Sequence, residues 1–298
     1  MGGLSRRATF VSRERKGTVP VLLVDAGNLF SGSALSEPSL EPTVRKAELH
    51  LKAMDRMGYR AAALGEMDLY LGPERLRTLD EQTDIQFLSA NLTNAEGKPL
   101  FKPYLLFDTG PLKVLILGIT HVPNRLPFLE SRMAGSLLKD PFETVAGMVP
   151  RLRKRCDLVI VLSNLGFRED LRLAREVEGI DIIIGGKDRR FMRKPKIVDG
   201  TLVTSGYFQG RAVGKLTVSY DGPVRGWVSE EELRFLDEQT EAAGERGDQG
   251  KLEDLKTRRE AARRLTRYRN NMVILDPSIP DDTHITSMIR EYRGEKRK

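Results

Sequence analysis

Residues 158–190, LVIVLSNLGFREDLRLAREVEGIDIIIGGKDRR, decide the fold that the sequence predicts. Residues 158–162 form a short apolar run, typical of a strand that is buried on both faces of a sheet. After a turn, residues 168–178 carry apolar side chains at helical spacing, and residues 180–184 form a second apolar run. This order predicts a βαβ unit, in which two parallel strands are joined by a right-handed crossover.

The carboxyl ends of these two strands are where a ligand is expected. Open parallel sheets bind ligands in the crevice outside the carboxyl ends of their strands. In this chain those ends are residues 163–166 and 185–189, which are Ser-Asn-Leu-Gly and Gly-Gly-Lys-Asp-Arg. The sequence therefore places any chemistry in these two short stretches.

The remaining elements surround this unit on both sides. Residues 4–10 show a helical pattern. Residue 58 is a glycine suited to end the helix that is predicted at residues 42–57. Further strands are predicted at residues 19–25, 61–64, 86–90, 104–107 and 113–119, antiparallel strands at 201–205, 213–220 and 224–228, and helices at 42–57, 73–78 and 141–154.

The character of the chain changes at Ser229. Ser229 and Glu232 have the spacing of a capping box, and residues 229–270 are highly charged, with sparse Leu and Ala. We predict two helices here, joined by a glycine-containing turn. A narrow apolar seam repeats along the second helix, at Leu252, Leu255, Ala262 and Leu265. A helix so polar must bury its seam, either against its own domain or against a partner.

Composition limits the class of protein. The chain has 298 residues, 6% of them aromatic, which suits one large α/β domain with or without an appendage. Its formal charge is +7, and residues 251–298 hold thirteen Lys and Arg against eight Asp and Glu. Such a basic tail is compatible with nucleic acid, anionic lipid or an acidic partner protein, although a solvated helix face explains it as well. Nucleic acid is not expected as a partner.

No part of the sequence predicts a membrane span or a disulfide within the chain. No apolar run approaches the roughly 20 residues of a spanning helix, and residues 1–20 lack the apolar region of a signal peptide. Cys156 is the single cysteine. We expect a cytoplasmic protein if the start at Met1 is native, and a periplasmic or exported one if an upstream signal has been removed.

Several stretches resemble, in order, the calcineurin-like metallophosphoesterase domain of the 5′-nucleotidase branch. Residues 21–30, VLLVDAGNLF, are similar to its strand that ends in Asp-Ala-Gly-Asp. Residues 57–68 resemble Met-Gly-Tyr-Asp followed by Gly-Asn-His-Glu, and residues 162–166 resemble Leu-Ser-His-Leu-Gly. Residues 180–189 resemble Gly-Ile-Asp followed by Gly-His-Ser-His. The resemblance covers roughly residues 1–222 and implies a sandwich of two mixed sheets flanked by helices.

The resemblance also implies chemistry at positions where this sequence differs. The family uses two metal ions (Mn, Fe or Zn) bridged by a carboxylate to activate a water for phosphoester hydrolysis. The family's first strand, with an Asp-x-His pair, is expected just before residue 2, where this sequence begins. The ligand and catalytic positions carry Asn28 for the bridging Asp, Glu66 for Asn, Met67 for the catalytic His, Asn164 for His, and Lys187 and Arg189 for two His.

These substitutions change what the site can bind. Lys187 and Arg189 carry positive charge and offer no lone pair at neutral pH, unlike a neutral imidazole. They could bind a phosphate or another small anion, or pair with Asp188, Asp25, Asp68 or Glu66. Asp25, Glu66 and Asp68 could alternatively collect one hard cation such as Mg²⁺ or Ca²⁺. His121, just after a strand, is interpreted as a packed or capping residue.

The sequence therefore predicts an α/β metallophosphoesterase-like domain at residues 1–228 and a charged helical extension at residues 229–298. We expect a degenerate, non-catalytic protein that binds or supports another molecule and carries no cofactor. The alternative is a metal-dependent phosphoric ester hydrolase of nucleotidase type with a rearranged site. A protein partner or self-association is predicted through residues 250–270.

Overall fold

The computed structural model describes residues 3–30, 40–121 and 127–294. Its helices are α1 (Leu4–Glu14), α2 (Glu41–Met57), α3 (Pro73–Glu81), α4 (Pro127–Arg132), α5 (Pro141–Leu152), α6 (Phe167–Glu176), α7 (Glu230–Glu245), α8 (Gln249–Arg263) and α9 (Thr283–Tyr292). Its strands are β1 (Val24–Asp25), β2 (Ala61–Ala63), β3 (Gln86–Leu88), β4 (Leu92–Asn94), β5 (Tyr104–Asp108), β6 (Lys113–Ile119), β7 (Ser136–Leu138), β8 (Leu158–Ser163), β9 (Ile182–Gly185), β10 (Lys196–Val198), β11 (Thr201–Ser205), β12 (Ala212–Ser219), β13 (Trp227–Ser229) and β14 (Thr266–Ile274).

The largest sheet has six strands in the order β10-β11-β9-β8-β6-β5. Its four central strands, β11, β9, β8 and β6, run parallel. All six side chains of β8 are buried, because the strand has apolar layers on both faces. Val159 and Val161 pack under α5 and α6, whereas Leu158, Ile160 and Leu162 face the second layer of strands. The predicted βαβ unit is confirmed.

Two three-stranded sheets complete the sandwich, and β4 and β7 form a separate two-stranded sheet. Strands β1, β2 and β3 form a parallel sheet, and β12, β14 and β13 form the other. The core between the layers contains Ala61 and Ala63 of β2, the inner side chains of β8, and Trp227 and Tyr268 from the third sheet. Helices α1, α2, α3 and α9 bury their apolar faces on the outer side of the β1-β2-β3 sheet. This architecture confirms the predicted sandwich of mixed sheets with flanking helices.

The strand pairing differs from the prediction at three places. Regular pairing covers only Val24 and Asp25 of the predicted strand at 19–25. The predicted antiparallel series at 201–228 is wrong, because β11 runs parallel to β9 and β13 runs parallel to β14. The extension at 229–298 is also not purely helical, because β14 lies between β12 and β13 as the central strand of their sheet. Its Thr266 and Tyr268 are buried while Arg267 and Arg269 are exposed, so the strand alternates with period two.

The two predicted helices of the extension pack against each other. The side chain of Ser229 accepts a hydrogen bond from the backbone N–H of Glu232, as the capping motif predicts. Leu255 and Ala262 of the seam are buried against α7 and Val228, with Leu252 and Leu265 beside them. The seam is therefore covered within the chain. It gives no support for a partner at residues 250–270, which stays a prediction.

Within residues 3–30, 40–121 and 127–294, no helix has the length and apolar character needed to cross a membrane.

Candidate functional site

Loops from two sheets meet at one edge of the sandwich. They follow the carboxyl ends of β1, β2, β8 and β9, and they comprise residues 26–30, 65–68, 164–166 and 186–188. Six of the eight sequence-predicted site residues, Asn28, Glu66, Met67, Asp68, Asn164 and Lys187, lie in these loops. The parallel pairing explains their proximity, because it places the carboxyl ends of neighbouring strands at the same edge.

Two glycines permit a backbone contact between these loops. A Cβ atom on Gly186 would lie 2.1 Å from the carbonyl oxygen of Ala26, and one on Gly65 would lie 2.4 Å from the backbone nitrogen of Asn28. Both distances are far below van der Waals contact, and the neighbouring atoms belong to the backbone. Any side chain at either position would therefore push the loops apart.

Asn28 and Asn164 link the loops through their amide groups. The Asn28 Oδ1 atom accepts a hydrogen bond of 3.0 Å from the backbone N–H of Met67. Fully buried Asn164 accepts one of 2.9 Å from the N–H of Glu66, and its Nδ2 atom donates to the carbonyl of Ala26 at 3.4 Å. Two positions that the resemblance assigns to metal ligands thus hold the loops together by hydrogen bonds.

The carboxylate of Asp68 is the most buried acidic group at this edge. It accepts backbone hydrogen bonds of 2.8 Å from Asn28, 2.9 Å from Phe30 and 2.8 Å from Gly65. Burial raises the pKa of Asp68 to about 7, while the three N–H donors oppose that rise. Its oxygens are therefore occupied in fixing the loops after β1 and β2.

Glu66 pairs with Lys187 across the site. The Lys187 Nζ atom lies 3.1 Å from the Glu66 Oε2 atom, and both side chains are 23% exposed. The Nε2 atom of His121 lies 3.6 Å from the same oxygen. Burial and the Lys187 ammonium lower the pKa of His121, so its imidazole is neutral at neutral pH. The sequence led us to interpret His121 as a packed or capping residue, whereas its position just after β6 brings it to the Glu66–Lys187 pair.

Asp25 lies beside a different cation. Its carboxylate accepts a hydrogen bond of 3.0 Å from the N–H of Gly27, and the buried guanidinium of Arg7 is close enough to interact. Burial raises the pKa of Asp25, and Arg7 opposes that rise. Two of the three candidate metal-binding carboxylates, Asp25 and Glu66, thus face a cation of the protein, and the third is saturated by backbone N–H groups.

In the described part of the chain, no three His, Cys, Asp or Glu side chains form a group that could hold a metal ion. The proposed single-cation site at Asp25, Glu66 and Asp68 therefore has no set of three ligands in this structure. Met67, at the position of the catalytic His, packs against the core under the β1-β2-β3 sheet.

Lys187 and Arg189 contact different residues of the protein. Lys187 pairs with Glu66, whereas Arg189 is exposed and its guanidinium lies over the ring of Phe208, 5.3 Å from the centroid. Between them, Asp188 accepts a hydrogen bond of 2.5 Å from the N–H of Phe167 at the start of α6. Anion binding by Lys187 and Arg189 stays a prediction.

Sequence comparison finds relatives among phosphoesterases. No protein-family model matches the sequence. The chain is 28% identical over 279 residues to the trifunctional nucleotide phosphoesterase protein YfkN of Bacillus subtilis, covering 80% of this chain and 18% of that protein. It is 29% identical over 247 residues to the 5′-nucleotidase of Bos taurus, covering 74% of this chain and 42% of the enzyme. The chain thus spans less than half the length of these curated relatives.

Structural comparison agrees with the sequence. The 5′-nucleotidase precursor of Thermus thermophilus superposes with a TM-score of 0.71 at 25% identity, covering 98% of this chain and 53% of that one. The calcineurin-like phosphoesterase YfkN of Bacillus subtilis superposes with a TM-score of 0.70 at 17% identity, covering 98% and 89%. The chain is therefore a homologue of the 5′-nucleotidases and has the fold of the calcineurin-like phosphoesterases.

Proposed function

We propose that this chain is a non-catalytic relative of the phosphoesterases that acts as a binding or structural component. One observation carries the proposal. The Lys187 ammonium lies 3.1 Å from the Glu66 carboxylate, and the resemblance assigns both positions to metal ligands. A protein cation thus neutralises the acidic group that could otherwise attract a metal ion.

The donor set does not fit the di-metal centre of the family. A protonated lysine has no lone pair to donate to a metal. The Oδ1 atoms of Asn28 and Asn164 are already acceptors of backbone N–H groups. A cation near Lys187 would also be repelled, by roughly 4 kcal/mol for two unit charges about 4 Å apart near a protein surface. Metal binding here would require the loops to give up these contacts.

The second candidate is a metal-dependent phosphoric ester hydrolase of nucleotidase type with a rearranged site. The comparisons favour it, because the relatives reported above are named as 5′-nucleotidases and nucleotide phosphoesterases. On this hypothesis Glu66 must release Lys187 and bind a cation instead.

Metal content and hydrolysis distinguish the two candidates. Purified protein is analysed for Mn, Fe and Zn and then assayed with an aryl phosphate and a nucleoside 5′-monophosphate in excess Mn²⁺. We expect less than stoichiometric metal and no turnover above buffer. About two metal ions per chain would overturn the proposal.

Variants make the assay specific to this protein. Any turnover is compared between Glu66→Gln and the exposed control Glu178→Gln, which carry the same charge change. Loss of turnover in Glu66→Gln alone would establish the hydrolase. Equal turnover in both variants would show that the activity does not depend on Glu66, which contradicts the rearranged site.

A further inference from the structure

Three arginines and three aromatic residues form a cluster at the carboxyl edge of the six-stranded sheet. We call it the arginine–aromatic cluster, and its members are Arg189, Phe191, Arg193, Tyr207, Phe208 and Arg211. Its two segments follow β9 and β11, which are parallel neighbours. Both segments therefore leave the sheet at the same edge, next to the loop that carries Lys187.

The aromatic rings of the cluster pack in a row. Phe191 and Tyr207 make an edge contact with centroids 5.3 Å apart, and Tyr207 and Phe208 make another at 4.5 Å. All three side chains are half-buried. The row is thus anchored in the fold and gives the arginines a fixed support.

Each arginine of the cluster lies over one of these rings. Arg193 is 5.7 Å from the centroid of Phe191, and Arg189 and Arg211 are 5.3 Å and 4.8 Å from that of Phe208. Stacking on a ring restricts a guanidinium group but leaves its five N–H donors available for other acceptors. The three arginines are therefore preorganised and exposed.

Within the residues that the structure describes, the three arginines of the cluster are not paired with carboxylates, and the neighbouring Asp188 accepts a hydrogen bond from the N–H of Phe167. In the described part of the chain, Arg189, Arg193 and Arg211 form no salt bridge. Lys194 nearby pairs with Glu231 at 3.6 Å, whereas Lys196 is exposed and adds to the positive charge. Cations that lie close together repel one another, so an anion that bridges them would bind favourably.

We propose that the arginine–aromatic cluster binds single-stranded nucleic acid. Guanidinium forks match phosphate oxygens, and both guanidinium planes and aromatic rings stack with unpaired bases. A lipid surface fits less well, because the exposed groups here are guanidiniums and no amphipathic helix forms this surface among the described residues. The sequence did not predict nucleic acid as a partner, because Tyr207, Phe208 and Arg211 come from a separate loop and meet residues 189–193 only in the fold.

Fluorescence anisotropy of labelled oligonucleotides tests the proposal on the full chain. Oligouridine and oligothymidine of about 15 nucleotides are titrated at about 50 and about 200 mM NaCl. The triple variant Arg189→Gln, Arg193→Gln, Arg211→Gln should weaken binding at least tenfold at the lower salt. Loss of three phosphate contacts should also reduce the salt slope by about 2. Tyr207→Leu should weaken binding about tenfold and leave the salt slope unchanged.

A variant with the same charge change serves as control. Lys251, Lys256 and Arg264 are exposed on and after α8, and their replacement by Gln removes three positive charges elsewhere. We expect less than a twofold effect from it. Equal weakening by both triple variants would overturn the proposal, because net charge alone would then explain binding. So would absence of binding at the lower salt, or binding to vesicles of anionic phospholipid without binding to either oligonucleotide.

Discussion

Replacing Asn164 by Ala tests whether the amide holds the site loops together. The change removes the acceptor of the Glu66 N–H at 2.9 Å and the donor to Ala26 at 3.4 Å. An unsatisfied buried donor costs about 1–3 kcal/mol, and the small cavity adds about 1 kcal/mol. We therefore expect a loss of about 3 kcal/mol in the free energy of unfolding. For a chain of this length that lowers the melting temperature by about 5 °C.

Trp227 provides the signal for this measurement. It is the single tryptophan, 4% exposed and buried between the sheets, so its fluorescence reports loss of the sandwich in urea. Asn271→Ala, at an exposed position of β14, is the matched control and should change stability by less than about 0.5 kcal/mol. An equally small effect of Asn164→Ala would refute the structural role. A stabilisation by Mn²⁺ that disappears in Asn164→Ala would identify the residue as a metal ligand instead.

Three further outcomes are expected. A double-mutant cycle with Glu66→Gln and Lys187→Met should give a coupling of about 1–2 kcal/mol in urea unfolding, and no measurable coupling would contradict the ion pair. Burial raises the pKa of Asp170 from 3.8 to about 7, so between these values the folded state keeps a proton that the unfolded state has released. Stability therefore falls by up to about 4 kcal/mol as pH rises through this window, and Asp170→Asn should flatten the fall between about pH 4 and about pH 7. Leu255→Ala should cost about 2–4 kcal/mol if α8 is packed on α7, and a near-neutral effect would show that the seam is not buried.

Much of the central sheet could be predicted because its strands have unambiguous local patterns. Residues 158–162 and 180–184 are apolar almost without interruption, which occurs when a strand is covered on both faces. The third sheet was predicted less well because its strands come from distant segments. The alternation of Thr266, Arg267, Tyr268 and Arg269 is typical of a strand, but these residues were assigned to the predicted helices because the arginines continue the charged pattern of the preceding segment. Partner strands are set by long-range packing, which local periodicity does not report.

The candidate site was located from the sequence, but its contacts were not. The strand ends and the resemblance placed Asn28, Glu66, Asn164 and Lys187 at one edge. Nothing in the local sequence showed that Lys187 selects Glu66 as its partner, because this pairing depends on the approach of loops from two sheets. The same approach brings His121 to the pair. Side-chain pairing of this kind requires the three-dimensional fold.

The position of β14 has a consequence for the order in which the chain can fold. Strand β12 is synthesised well before β14, yet β14 is its only neighbour in the described sheet order. Strand β13 is also made before β14 and pairs with the other side of β14. On the ribosome, β12 and β13 therefore remain unpaired, aggregation-prone edges until residue 274 has emerged. Helix α9 follows, and at its start Ser5 of α1 donates to the carbonyl of Asp282 at 2.9 Å. The first helix thus gains this contact only after more than 270 further residues have been made, so the domain closes late in its own synthesis.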